Sequence, residues 1–184
     1  MINFDKLDKN KTYIGLQYGS KSLIAKLIRR CTKIYAKDCE DLPTHVLAFV
    51  YEGDWKIYES HLERQEKFCI DSGTRCIDLS TWKEIEEKSL SSFKAYPAKL
   101  SIYQLKKNLF KPYGVEDIKN LLRVWILRNN GTQKDGKGLI CSEYIALAYP
   151  EICKYFKLPA YCITPAHFEK FLKDKNIKAF DSEE

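Results

Sequence analysis

The residues with the widest chemical reach in this 184-residue chain are seven cysteines, at 31, 39, 69, 76, 141, 153 and 162, and three histidines, at 45, 61 and 167. An odd cysteine count leaves at least one thiol outside any disulfide. Cys141 is set apart by its place. It follows Gly138-Leu139-Ile140 and heads a run through Tyr149 that is apolar nearly all round, which reads as a buried helix. The free N–H groups and positive dipole end of a helix N-terminus favour thiolate over thiol, so Cys141 is the candidate nucleophile. Cys69 and Cys76 fall in or beside strands, Cys153 and Cys162 in the connection after the buried helix, and Cys31 on an apolar helix face; these read as small packing residues.

A thiol nucleophile needs a base. Thr44 to Tyr51 is rich in strand formers, Glu52-Gly53-Asp54 is a turn, and Trp55 to His61 returns as a second strand, so 44–61 reads as a β-hairpin. With Tyr51 opposite Trp55, His45, Leu47 and Phe49 share a face with Ile57, Glu59 and His61, and Glu59 lies diagonally across from His45. A carboxylate there would orient the ring and stabilise its cation. His45 is therefore the first candidate base, and His61, leaving the hairpin at the same end, could replace it. His167, in the first turn of the last helix, is expected to be exposed.

Other elements must position these groups. A strand at Tyr13 to Tyr18 is broken by Gly19-Ser20, with Ser20 as N-cap of a helix carrying Leu23, Ile24, Leu27, Ile28, Cys31 and Ile34 or Tyr35 on one side. Lys21, Lys26, Arg29, Arg30, Lys33 and Lys37 fill its other positions, a basic face that reads as solvated. Further strands are expected at Lys67 to Asp71, Arg75 to Leu79 and Phe93 to Ala98, with a helix between the last two opened by a Thr81-Trp82-Lys83-Glu84 capping box. Ser101 to Phe110 and Glu116 to Arg128 read as helices, and a last helix starts at Thr164-Pro165.

Two alternative chemistries fail on spacing. Gly131-Thr132-Gln133-Lys134-Asp135-Gly136-Lys137 has phosphate-loop spacing, but Gly138 stands where a hydroxyl should hold magnesium, and helical periodicity precedes it. No Cys-x-x-Cys or His-x-x-x-His pair occurs, which argues against structural zinc. No cofactor and no metal is expected.

A hydrophobic fraction of 45% and an aromatic fraction of 13% suffice for the core of one domain over 1–180, with a loose tail at 181–184. Thirty-one basic against 25 acidic side chains give a net charge of +6, too diluted by acids to indicate nucleic acid, and none is expected as partner. Neither an export signal nor an apolar run long enough to span a membrane is seen, so the expected location is the cytoplasm.

The order of parts, a His-bearing hairpin ending in Glu and then, far downstream, a Cys heading a buried helix, resembles the circularly permuted branch of the NlpC-type papain-like cysteine hydrolases, the YiiX-like proteins. The carrying residues are Tyr13-Ile14-Gly15, the helix Ser22 to Thr32, Thr44-His45-Val46-Leu47-Ala48-Phe49-Val50, Ile57-Tyr58-Glu59-Ser60, Lys111-Pro112-Tyr113-Gly114, Cys141-Ser142-Glu143-Tyr144-Ile145-Ala146 and Thr164-Pro165. The resemblance implies an α+β fold, an antiparallel β-sheet packed against helices in the permuted papain-like arrangement. It also implies Cys141 as nucleophile, His45 as base then acid, and Glu59 as the residue that orients it. The family's Gly-Asp-Ile is Gly15-Leu16-Gln17 here, and no aspartate follows Tyr113; Gln17 could supply a side-chain donor to an oxyanion. The activity implied is hydrolysis of an amide or ester in a peptide, amide or acyl substrate. The alternatives are a lipid acyl hydrolase or transferase on the same fold, and a non-catalytic module that binds an anionic partner through the basic helix 21–37.

Overall fold

β-Branched and aromatic residues dominate the segments that pair. The computed structural model describes residues 2–20, 23–62, 72–87, 91–114 and 137–180. Five strands, β1 (Thr12–Tyr18), β2 (His45–Tyr51), β3 (Trp55–His61), β4 (Gly73–Asp78) and β5 (Ser92–Ala98), form an antiparallel sheet in the order β4-β3-β2-β1-β5. The helices are α1 (Leu23–Thr32), α2 (Leu79–Glu87), α3 (Ile102–Lys107), α4 (Cys141–Ala148), α5 (Pro150–Phe156) and α6 (Pro165–Asp174). The architecture is α+β.

Both faces of the sheet are covered, which is why the interior of β2, Val46 to Val50, is buried at every position. Ile14, Leu16, Val46, Ala48, Val50 and Tyr58 pack on α4, with Ile152 of α5 and Phe168 and Phe171 of α6 completing that core. On the other face Tyr13, Leu47, Phe49 and Ile57 meet Phe4 of an N-terminal 3-10 turn and Trp82 of α2. Phe4 is the hub there, edge-on to Phe49, Trp55 and Trp82 with centroids 5.1, 5.8 and 5.8 Å away. Such edge-to-face contacts add to area burial because the positive ring edge meets the negative ring face. Gly15 has no room for a side chain: a Cβ would lie 2.3 Å from the Leu47 side chain.

The 44–61 hairpin has the expected register, with Tyr51 opposite Trp55 and Leu47 opposite Glu59. Strands expected at 75–79 and 93–98 are β4 and β5. The helix between them begins at Leu79, directly from the last residue of β4, so Thr81 lies inside its first turn and does not cap it. Cys153 sits within α5, not in a connection; Tyr149-Pro150 starts this second helix with proline in the first turn, where its missing N–H costs nothing. α1 gives way to a 3-10 turn at Lys33–Tyr35, and its apolar positions are not all covered: Leu27 and Ile34 are 39% and 50% exposed. The expected strand at 67–71, the helix at 116–128, the Ser20 cap's contact with 21–22, most of the 129–138 loop and the tail at 181–184 lie outside the described residues. Among the described residues no helix is long and apolar enough to cross a membrane.

Candidate active site

Cys141 is the first residue of α4, and three ties hold it there. Ser60 of β3 donates to the Leu139 carbonyl at 2.5 Å. Ser142 donates to the Ile163 carbonyl at 2.6 Å, so the first helical turn is fixed to the chain entering α6. Leu139 pairs in parallel with Tyr113, its N–H donating to the Pro112 carbonyl at 2.9 Å. That pairing requires Gly138, where a Cβ would lie 2.7 Å from both the Gly114 nitrogen and the Tyr113 carbonyl carbon. The glycine that breaks the phosphate-loop pattern is thus needed for close backbone approach beside the thiol. No side chain caps α4 at Ile140, so its first amides remain available to a charge at Cys141.

His45 is the first residue of β2, and the register brings Glu59 to it diagonally. His45 Nε2 donates to Glu59 Oε2 at 3.0 Å. That leaves the other ring nitrogen free of Glu59, and Cys141 lines the same cleft and acts on the ring by its negative charge. The alternation of β2 puts His45 on the side of Leu47, whereas α4 packs on the side of Val46 and Ala48. Thiol and ring meet only because His45 ends the strand, and the thiol also accepts from the Val46 N–H beside it. A histidine two residues further along β2 would be walled off from α4 by the sheet.

Glu59 is 3% exposed and is held from a second side. Arg75 of β4, directly opposite in the ladder, donates to Oε1 from Nε at 2.9 Å and from Nη2 at 2.7 Å. Arg75 escaped the sequence reading because the register of β4 against β3 is set across a long connection with no tight turn to anchor it. The sign of Glu59 follows from its neighbours. Burial raises its pKa, but the hydrogen bond and charge of His45, with the charges of His61 and Arg75, bring it down to about 2. It is a carboxylate at any working pH.

The same competition sets the thiol and the ring. Burial alone would lower the His45 pKa; the negative charge and hydrogen bond of Cys141, together with Glu59, overcome this and raise it to about 10. Burial would raise the Cys141 pKa, yet the His45 charge and hydrogen bond and the N–H groups of Val46 and Ser142 leave it below its ordinary 9.0. Both directions favour the thiolate and the imidazolium over their neutral forms.

The pair opens into a cleft of about 160 Å³ walled by Gln17, Ala25, Ile28, His61, Tyr113 and Ser60 among others. Gln17 is the β1 partner of His45, so the candidate oxyanion donor does reach this cleft. Tyr113 is held protonated by burial and by the Cys141 charge, which keeps its hydroxyl a donor. His61 stands edge-on to His45 with centroids 6.0 Å apart and its Nδ1 3.9 Å from Glu59, so it lies beside the His45 ring and farther from the carboxylate. His45, Glu59 and His61 also have ligand atoms all within 4.8 Å of one another, a set of metal-ligand type. Arg75 on Glu59 would oppose a cation there.

His167 is not exposed. It is 2% exposed, its ring accepts from the Thr164 N–H at 3.1 Å in a capping box, and it lies against Tyr35 and Phe156. Burial pushes its pKa down to about 4, so it is neutral and structural. Cys31, Cys39, Cys76, Cys153 and Cys162 are free thiols, and burial raises Cys39, Cys76 and Cys153, the opposite of the direction at Cys141. No family model matches the chain, and no curated protein matches it.

Proposed function

We propose that the protein is a cysteine hydrolase of an amide or ester, with Cys141 as nucleophile, His45 as acid and base, and Glu59 as the group that orients and charges the ring. The observation that carries this reading is the meeting of Cys141 and His45 in one cleft, with His45 hydrogen-bonded at 3.0 Å to the buried Glu59. The permuted papain-like arrangement suggested by the order of motifs agrees with the observed sheet and with a cysteine-headed helix packed on it.

The thiolate would attack the carbonyl carbon, forming a C–S bond and an oxyanion. Amides at the start of α4, the Gln17 side chain and the Tyr113 hydroxyl are the available donors to that oxyanion. His45 would give its proton to the leaving amine or alcohol as the C–N or C–O bond breaks. It would then take a proton from water, whose hydroxide cleaves the thioester and returns the carboxylic acid and the thiolate.

Iodoacetamide tests the nucleophile directly. Cys141 is expected to alkylate near neutral pH at least about tenfold faster than any other thiol, and His45→Ala to remove most of that advantage. Equal rates at Cys141 and at the half-buried Cys31 and Cys162 would overturn the reading. The experiment is run with a chelator, because loss of an activity on chelation, with alkylation unchanged, would support instead a metal held by His45, Glu59 and His61.

A further inference from the structure

The end of the sheet where the cleft opens carries a surface the hydrolase chemistry does not use. α1 and the 3-10 turn after it contain Lys26, Arg29, Arg30 and Lys33, Lys37 follows the turn, and no acidic residue lies between 23 and 37. Lys26, Arg30 and Lys33 are exposed and recur at four- and three-residue steps, which puts them in one stripe along α1 into the turn, and the exposed Lys37 follows the turn. Leu27 and Ile34, two turns apart and 39% and 50% exposed, run beside that stripe. Acids resume only at Asp38, and Asp38 is engaged by Lys170 of α6 at 3.3 Å and by Lys173. The opposite side of α1 supplies Ala25 and Ile28 to the wall of the cleft. At the same end of the sheet Phe110 is 89% exposed, with φ of 61°, three residues before the cleft-lining Tyr113.

We propose that this rim docks the protein on an anionic lipid bilayer, with Leu27 and Ile34 entering the headgroup and acyl boundary, the four cations meeting anionic headgroups, and the Cys141 cleft held against the membrane. Exposed aliphatic side chains flanked by cations on a single helix face are the pattern that interfacial helices present to lipid. Nucleic acid fits less well. Its phosphates reward the cations but not the aliphatic pair, and single-strand binding calls for aromatic stacking platforms, which the stripe lacks. Docking does not depend on the chemistry of the cleft, so it is measured on Cys141→Ala as well as wild-type protein and can fail or succeed apart from the hydrolase reading.

The experiment is co-sedimentation of the full chain with phosphatidylcholine vesicles, with and without phosphatidylserine. Binding is expected with phosphatidylserine and not with phosphatidylcholine alone. Reversal of three cations, Lys26→Glu, Arg30→Glu and Lys33→Glu, is expected to weaken partitioning about fivefold per site. Leu27→Ser with Ile34→Ser, which keeps the charge, is expected to weaken it roughly tenfold. All five side chains are exposed or more than a third exposed, and circular dichroism checks that each variant stays folded. Three exposed lysines elsewhere, Lys83, Lys154 and Lys178, are reversed together as the control and are expected to leave partitioning near wild type. Equal binding to both vesicle types, or a control reversal as damaging as the one on α1, overturns the proposal. So does a serine variant that binds vesicles as wild type does, and single-stranded DNA binding of wild-type strength in that same variant would then assign the stripe to a polyanion.

Discussion

At the scale of single residues, Glu59 is the group on which the charge state of the site turns. It is buried, ionised, and shared between His45 on one oxygen and Arg75 on the other. Glu59→Gln keeps a hydrogen-bonding side chain but removes the charge that helps hold the His45 pKa near 10. Activity is therefore expected to fall roughly a hundredfold, and the alkaline limb of the pH profile to move to lower pH, because an imidazolium without its carboxylate loses its proton sooner. In the wild type the acid limb should lie below the ordinary thiol value of 9.0 and the alkaline limb near 10. A profile with the same alkaline limb in both proteins would show that Glu59 does not charge the base. Arg75→Leu tests the other side of the same carboxylate: leaving it buried with one partner fewer is expected to cost about 3 kcal/mol in urea unfolding.

At the scale of elements, the meeting of α4 with the end of β2 is what brings Cys141 and His45 into one cleft. α4 is delivered by the 111–114 segment, which pairs Tyr113 with Leu139 only because Gly138 lacks a side chain. The atoms a Cβ would strike at Gly138 are backbone, so they cannot rotate away. Gly138→Ala is expected to lower stability by about 2 kcal/mol and to slow Cys141 alkylation with little change in its pH dependence, since the thiol is displaced and not retitrated. Unchanged alkylation in that variant would mean that the segment tolerates the shift. The hairpin that carries His45 and Glu59 was legible from its residues, because a three-residue turn links its strands and fixes their register locally. Arg75 was not, because nothing local relates β4 to β3. The burial of His167 was not legible either. Its capping box with Thr164 is a short-range pattern, but the rings of Tyr35 and Phe156 that cover it come from other elements.

At the scale of the whole molecule, two buried titrations act in the same sense in acid. His167 is neutral in the fold and binds a proton only near pH 4, whereas its unfolded value is 6.5, so the stability it contributes above 6.5 is lost as pH falls through about 4. Glu59 contributes stability above its unfolded 4.5 that is lost as pH falls through about 2. His45 works at the other end of the scale: its pKa is raised from 6.5 to about 10, so the stability it contributes below 6.5 is lost as pH rises through about 10. Below 6.5 the His45 contribution is constant while that of His167 declines, so the urea midpoint is expected to drop progressively as pH falls below 6.5. A midpoint that holds down to pH 4.5 would contradict the buried, neutral His167.

What the amino-acid order determined by itself was local: the His45 and Glu59 hairpin, the helix headed by Cys141, and the Thr164 cap each follow from neighbours within a few residues. Tertiary structure alone decided which side of the sheet each group reaches. It placed Cys141 at the one strand end where a thiol can pass from the α4 side to the His45 ring, set Arg75 against Glu59, buried His167, and left Leu27 and Ile34 of α1 uncovered. These outcomes depend on packing between segments far apart in the chain, and neither side-chain alternation nor helical period records which partner such a segment will meet.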